Sequence, residues 1–457
     1  MALFRSIIII VGLLPFLCLS SFLPSDFSRS NRTGGGWGNW TSPPSGGHRG
    51  PGSGRHIRAT LQSRKVENIT TTTTGSAVTL VKTDVPSRSP REPLARYGAG
   101  IVYMLELELG TPGQTISAIL DTGSYTLLVD PDCTQAADPE ACLTFGYYDT
   151  TRSVTARYLN SWFAGQFGTG YMQGFWYSDT AYVGLDTSLP LPNLRVGVSQ
   201  WSQYIWAGVL GVSYGKAWNT AYPTLLDLLV IYGYVAVPIF SLGVGYQGGG
   251  SPSDIIFGGV DRKKFRGYLE PLEIYPYPYQ QLKLYGQAGY RVNLTSLGIT
   301  PPGQNEISLT NDDFVHNVLI DSGSTYTYLD GNLVAKIAAA LNAYTDDQGV
   351  YRVPCESRNL DGSVNFGFNY YNIVIRVNYA DFIVDFDSYC ALGVQPADTG
   401  DATWVLGTSF IRAAYLVFDQ QNDAVWIAQY LPCGDDGITD LTLDAGRQLW
   451  LEVTGLC

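Results

Sequence analysis

Ala118-Ile119-Leu120-Asp121-Thr122-Gly123-Ser124 and, 200 residues further on, Val318-Leu319-Ile320-Asp321-Ser322-Gly323-Ser324 have one form: an apolar run that ends in Asp-(Thr/Ser)-Gly-Ser. An aspartate at the end of a buried strand loses hydration and is tolerated only where it is paired and hydrogen-bonded. A chain that builds such an end twice is arranged for the two carboxylates to meet. A single Asp-Thr-Gly also makes an ordinary turn; two copies with matching flanks are much more specific.

The repetition extends outward. Trp206-Ala207-Gly208-Val209-Leu210-Gly211 follows the first motif, with its last glycine 90 residues after Asp121. Trp404-Val405-Leu406-Gly407 follows the second, its glycine 86 residues after Asp321. Self-similarity on this scale marks two related structural units. In each, a glycine without a Cβ lets one backbone pass close beside the loop that carries the aspartate.

At these residues the chain resembles the pepsin-like aspartic proteases of the secreted, fungal type, from about Tyr97 to Leu431. The motifs are the two Asp-(Thr/Ser)-Gly-Ser segments, Phe167-Gly168-Thr169-Gly170 at the place of the family's flap, and Val405-Leu406-Gly407 with Phe410-Ile411-Arg412 near the end. The resemblance implies an all-β-dominated, bilobal fold with a cleft between two pseudo-twofold-related lobes. It implies Asp121 and Asp321 as the catalytic pair, supported by Thr122, Gly123, Ser124, Ser322, Gly323 and Ser324. Ile119, Leu128, Phe167, Gly168, Thr169, Val209 and Leu319 are the substrate-binding candidates. It favours the disulfides Cys133–Cys142 and Cys355–Cys390, which leaves Cys433–Cys457 to tie down the tail. Pepstatin-like inhibitors and the chain's own prosegment are implied partners, besides polypeptide substrates.

The chain departs from its family at the flap. The family's flap tyrosine is Phe167 here, and the tryptophan just beyond the first motif is Leu128. Both members of a hydrogen bond are absent together, so neither is left unpaired, and the two side chains are expected to pack on each other. Gly168-Thr169 lacks the acidic residue with which some fungal relatives accept lysine. Bulky apolar residues are therefore expected on either side of the cleaved bond.

Composition agrees with a large, strand-rich core. Of 457 residues, 45% are hydrophobic and 15% charged, and 31 are tyrosine; aromatic residues favour strands. Length allows two or three domains. Arg5 precedes an apolar run from Ser6 to Leu19 with small residues after it, so residues 1–21 read as a secretory signal, too short for a comfortable membrane span. Secretion is expected, with a vacuolar destination as the alternative, and no membrane anchor. Cys18 leaves with the signal, and the six remaining cysteines allow fifteen pairings from sequence alone. No cofactor is implied, and no metal: no Cys-x-x-Cys or His-x-x-x-His spacing occurs, and the histidines are His48, His56 and His316. Asn31, Asn39, Asn68 and Asn293 stand in glycosylation sequons.

Charge divides the chain. Residues 27–96 carry eleven Lys or Arg against three acids, and residues 97–457 carry sixteen against thirty-six. The basic stretch is rich in Gly, Pro, Ser and Thr and cannot build a core. It reads either as a linker or, after the family's example, as a prosegment held to an acidic enzyme by charge and released in acid. The expected divisions are 1–21 signal, 22–96 prosegment, 97–270 first lobe, 271–432 second lobe and 433–457 disulfide-tethered tail. An acidic body excludes nucleic-acid binding, and a monomer is expected.

Short strands follow Tyr97, beginning with Ile101 to Leu109. Helices are expected from about Pro223 to Tyr232 and from Gly331 to Tyr344, the second capped by Asp330. Two other motifs compete. Gly211-Val212-Ser213-Tyr214-Gly215 matches a serine-hydrolase elbow, but the only histidine downstream is His316. Gly243-Val244-Gly245-Tyr246-Gln247-Gly248 matches a dinucleotide fingerprint, but Gly249-Gly250-Ser251-Pro252 forbids the helix that must follow. A catalytically silent binding protein of the same fold is the remaining alternative; such proteins lose an aspartate or a glycine, and both motifs are intact here.

Overall fold

Strands dominate, as the closely spaced turn signals imply. The structure, a computed structural model, describes residues 57–62 and 102–457, apart from residues 131–132, 134–138, 168–169, 184–188, 204, 206, 216–219, 221, 248–252, 286–287, 371, 387, 398–402 and 435. The signal, the rest of the basic segment with Asn31, Asn39 and Asn68, the expected start at Tyr97, and Trp206, Gly168 and Thr169 lie outside the described residues.

The first half contributes β1 (Ile57–Gln62), β2 (Met104–Leu109), β3 (Gln114–Asp121), β4 (Leu127–Val129), β5 (Arg157–Phe167), β6 (Gly170–Val183), β7 (Leu191–Gln203), β8 (Gly208–Gly211), β9 (Ile239–Gly243) and β10 (Ser253–Phe257). They form one thirteen-stranded sheet together with Glu270–Glu273, Ala414–Asp419 and Ala424–Gln429. Ala414–Asp419 pairs with β9 through Leu416↔Leu242 and Phe418↔Phe240, so the end of the chain is stitched to its first half. β1, from the basic segment, lies between β10 and β2, with Ile57↔Phe257 and Leu61↔Leu105 among its partners. An eight-stranded sheet from the second half carries Arg291–Thr300, His316–Ile320, Thr327–Leu329 and Trp404–Leu406.

The repeat seen in the sequence is a repeat of topology. β3 runs parallel to β8, with Asp121 opposite Gly211, and β4 lies antiparallel to β8. In the second half His316–Ile320 runs parallel to Trp404–Leu406, against which Thr327–Leu329 lies antiparallel. The two glycines are required by close approach. A Cβ on Gly211 would come within 2.4 Å of the Tyr125 nitrogen, and one on Gly407 within 2.2 Å of the Tyr326 oxygen.

The helix Leu225–Ile231 is closed by a capping box in which Thr224 and Asp227 exchange hydrogen bonds. Gly331–Ala340 starts at Asp330, whose side chain accepts from the Asn332 amide. It stops four residues short of Tyr344, where Asn342 takes a positive φ of 52°. Pro139–Phe145 and Pro278–Tyr285 are further helices that the sequence reading does not contain. Both begin at a proline, and neither has a strong apolar periodicity to announce it.

Residues beyond 430 form a second layer. Ile438–Asp440 pairs with Gly259–Asp261, and Thr454–Leu456 pairs with Arg266–Tyr268. Leu441, Ala445, Leu449 and Val453 are buried against Phe265, Tyr415, Val417 and Trp426. Cys433 is bonded to Cys457, Cys133 to Cys142 and Cys355 to Cys390.

Candidate active site

β3 and the strand His316–Ile320 deliver Asp121 and Asp321 to one point. Apolar side chains on both strands sink into the core: Leu120, Val318 and Ile320 are fully buried. Each aspartate therefore arrives at the end of a rigid element, and each is itself buried.

The loops after the aspartates satisfy the carboxylates by the same local geometry. The Gly123 amide donates to Asp121 Oδ1 at 2.8 Å and the Ser124 hydroxyl to Oδ2 at 2.5 Å. The Gly323 amide donates to Asp321 Oδ1 at 2.9 Å and the Ser324 hydroxyl to Oδ2 at 2.7 Å. The second residues of the motifs tie the loops to each other. The Thr122 hydroxyl donates to the Ile320 carbonyl at 2.9 Å and accepts from the Ser322 amide at 2.9 Å. The Ser322 hydroxyl returns the same pair of bonds, donating to the Leu120 carbonyl at 2.7 Å and accepting from the Thr122 amide at 3.1 Å. Four buried bonds thus cross between segments 200 residues apart.

The glycines complete the approach. A Cβ on Gly123 would stand 3.0 Å from the Asp321 carboxyl, and one on Gly323 2.8 Å from Asp121 Oδ1. The same Gly323 Cβ would stand 3.2 Å from Asp321 Oδ1, so the inner oxygens of the two carboxyls face one another. Burial first, and then the neighbouring Asp321 charge, push the Asp121 carboxyl up to about 8. Two carboxylates this close cannot both ionise, so the pair holds one proton. A site with one carboxylate and one carboxylic acid offers a base and an acid to one bound molecule.

Ile119 is half-buried beside Met104, Phe145 and Ala207. It neighbours Val209 across the parallel pairing. Leu319 is buried, and a Cβ on Gly289 would touch its Cδ1 at 2.6 Å. Leu128 has no exposed surface and packs with Phe163, Met172, Trp176 and Ile205. Phe167 ends β5 opposite Gly170. Phe163 and Trp176, two residues the sequence reading did not single out, supply ring volume around Leu128; the Phe167 side chain expected there lies outside the described residues. Their inward positions follow from the alternating burial of β5 and β6 around the flap turn.

The competing motifs resolve into ordinary structure. Ser213 belongs to the loop that crosses the first aspartate loop, its amide donating to the Ser124 carbonyl at 2.8 Å. Its hydroxyl is buried without a hydrogen-bond partner. His316 stacks on Trp404 with ring centroids 3.6 Å apart. Gly243 and Asp254 are register partners, so the glycine-rich segment joins two antiparallel strands. Asn293 lies half-buried within the strand Arg291–Thr300. Among the described residues, the one group of side chains spaced to hold a metal contains Cys355 and Cys390, which are bonded to each other.

Comparison with known proteins agrees with this geometry. The family model for "Eukaryotic aspartyl protease" matches residues 102–430. The probable aspartic-type endopeptidase opsB of Aspergillus fumigatus is 31% identical over 351 residues, covering 72% of this chain and 69% of that protein. Gastricsin of Rattus norvegicus is 26% identical, covering 74% of this chain and 82% of its own. Aspartic proteinase yapsin-3 of Saccharomyces cerevisiae is 32% identical over 72% of this chain and 66% of its own. In fold, the chain is similar to the crystal structure of an aspartic proteinase from Irpex lacteus. The TM-score is 0.57 at 19% identity, over 74% of this chain and 96% of that one.

Proposed function

The chain belongs to the eukaryotic aspartyl protease family and is an aspartic-type endopeptidase; from that premise we propose that it cleaves extended polypeptides in acid, through a water activated between Asp121 and Asp321. One observation carries this reading: the two aspartate loops are locked together by four reciprocal hydrogen bonds, which fixes the two carboxyls facing one another.

The ionised carboxylate takes a proton from the water while the protonated partner donates to the peptide carbonyl oxygen. The water oxygen bonds directly to the carbonyl carbon, giving a neutral diol with no covalent enzyme intermediate. The carboxyl that took the water's proton then gives it to the amide nitrogen while the other carboxylate takes a proton from a diol hydroxyl; the C–N bond breaks, the new carboxylic acid forms and the pair is again singly protonated. Ser124 and Ser324 hold the outer carboxylate oxygens, which fixes the orientation of both carboxyls. The cycle needs one proton on the pair, which sets the alkaline limit of activity.

Ile119, Val209 and Leu319 give the neighbourhood of the dyad an apolar lining, which supports a preference for bulky hydrophobic residues flanking the cleaved bond. By its place in the sequence, Phe167 is the flap residue that covers the substrate. The sign change in charge near residue 96 supports a basic prosegment, residues 22–96, released when acid discharges the carboxylates of the body. The lobes then comprise 97–270 and 271–432, with 433–457 as a tethered tail. We read the product as a secreted monomer; among the described residues no helix is long and apolar enough to cross a membrane.

The test is hydrolysis of an unstructured protein and of a peptide library in acid, with and without pepstatin. Pepstatin-sensitive cleavage between bulky apolar residues is expected. Inhibition only by a serine-directed reagent would move the chemistry to Ser213, and no cleavage at any acid pH would point to a binding protein. A clear Lys or Arg preference, or a many-fold gain of activity in Phe167→Tyr, would refute the flap reading.

A further inference from the structure

Leu128 leaves the flap hairpin without a side-chain hydrogen bond from that position to the dyad's own lobe, yet the hairpin has to be held at a fixed height. The inner face of the sheet shows another tie. Trp176 of β6 and Gly197 of β7 are register partners, and Leu128 of β4 faces Gly197 from the other side. A Cβ on Gly197 would press on Leu128 at 2.4 Å and on Phe163 at 2.8 Å. Its absence lets Leu128, Phe163 and Trp176 close into one cluster, with the Phe163 and Trp176 rings 4.9 Å apart.

Two residues before Gly197 on the same strand stands Arg195. Its guanidinium carbon lies 4.3 Å from the Trp176 ring centroid and 4.3 Å from that of Tyr222. Those rings are 6.3 Å apart, so the cation fills the corner between them. Tyr222, Arg195 and Tyr125 line one small cavity. Tyr125 is buried and directly follows Ser124, whose hydroxyl holds Asp121 Oδ2. A continuous path therefore runs from the wall of the flap hairpin, through Arg195, to the first aspartate loop.

We propose that Arg195 is a positioning residue that clamps the flap hairpin, through Trp176, to the Tyr222–Tyr125 pair beside the first catalytic loop, and so sets how tightly an extended substrate is held. Arginine suits this place. Its guanidinium stays charged throughout the acid range and stacks on rings through a planar face. A tie made by an ionised carboxylate would fail as the pH fell. The contacts also make no demand on the dyad's own proton, so the clamp acts on binding and leaves the chemical step alone. This inference rests on the proposed proteolysis and on the hairpin acting as the flap.

The experiment is steady-state kinetics and pepstatin inhibition on the full chain after acid activation, for wild type, Arg195→Met, Arg195→Lys and Tyr222→Leu. Arg195→Met is expected to raise KM and the pepstatin inhibition constant about tenfold, the size of two partly exposed cation–π contacts, with kcat changed less than about twofold. Arg195→Lys keeps the charge and should recover part of the loss. Tyr222→Leu should act like Arg195→Met, and the two together should add little. Unchanged KM and inhibition constant in Arg195→Met would overturn the clamp, as would a lysine variant as impaired as the methionine variant. If Arg195→Met does not fold, a raised KM in both Arg195→Lys and Tyr222→Leu supports the proposal, and an unchanged KM in either refutes it. If wild type itself shows no pepstatin-sensitive cleavage, the proposed function has failed, and the clamp with it. Wild-type activity with an unaffected Arg195→Met rejects the clamp alone.

Discussion

Thr122→Val is the substitution that weighs the link between the two aspartate loops. Valine keeps the shape of threonine and removes only the hydroxyl. Thr122 is fully buried, so water cannot replace what is lost. The Ile320 carbonyl loses its donor and the Ser322 amide loses its acceptor. Each buried orphan costs about 1–3 kcal/mol, so the pair costs about 2–6 kcal/mol, and partial relaxation of the loops puts the expected loss near 3 kcal/mol. That is a large share of the roughly 5–15 kcal/mol that keeps a protein folded. Thr122→Ser keeps the hydroxyl and drops one methyl group, for about 1 kcal/mol. Urea unfolding at a pH where self-digestion is negligible measures both. kcat/KM should fall further in the valine variant than in the serine one, because the carboxyls lose their fixed separation. A loss under about 0.5 kcal/mol for Thr122→Val, or a serine variant as damaged as the valine variant, would refute the reasoning.

Three further outcomes are expected. Sequencing of the secreted form should find an N-terminus near Tyr97; because Ile57–Gln62 is laid between β2 and β10, a second N-terminus at or before residue 57 would mean that this strand stays with the working enzyme, and a single start before residue 57 would refute removal of the basic segment. Unreduced peptide mapping should recover Cys433 linked to Cys457 across 24 residues, and Cys433→Ser with Cys457→Ser should cost roughly 3 kcal/mol in the chain-entropy account; a tail whose loss leaves Tm unchanged would contradict its packing on Phe265, Tyr415 and Trp426. The Asp121 carboxyl is raised by burial and by Asp321, so the fold keeps its proton where the unfolded chain has lost it; that contribution is complete below about 4 and is lost as pH rises toward about 8, so the fall of Tm over this window should shrink in Asp121→Asn, and an equal fall in both proteins would contradict the raised carboxyl.

The two motifs were legible because their chemistry is local: an apolar strand, an acid, a hydroxyl and a glycine follow one another in order. Their meeting was legible because the motif occurs twice. The bonds from Thr122 and Ser322 to the opposite loop end on the Ile320 and Leu120 carbonyls, which only the meeting of the two loops brings within reach. The apolar wall around Leu128 was not legible. Phe163 and Trp176 are placed there by strand register and by the missing Cβ of Gly197, and register between long strands is a tertiary outcome. The layer formed by residues beyond 430 was read only as a tethered tail. Its short strands borrow partners from residues 259–268, and nothing in their own periodicity names those partners.

The account stands most directly on the separate replacement of the two aspartates. In purified Asp121→Asn and Asp321→Asn proteins, initial rates of peptide hydrolysis in acid are measured alongside thermal unfolding. The account predicts that each variant folds and that each loses hydrolysis, because one amide removes either the base or the acid from the shared pair. Retention of more than a few percent of wild-type activity by either folded variant would contradict a mechanism that needs both carboxyls.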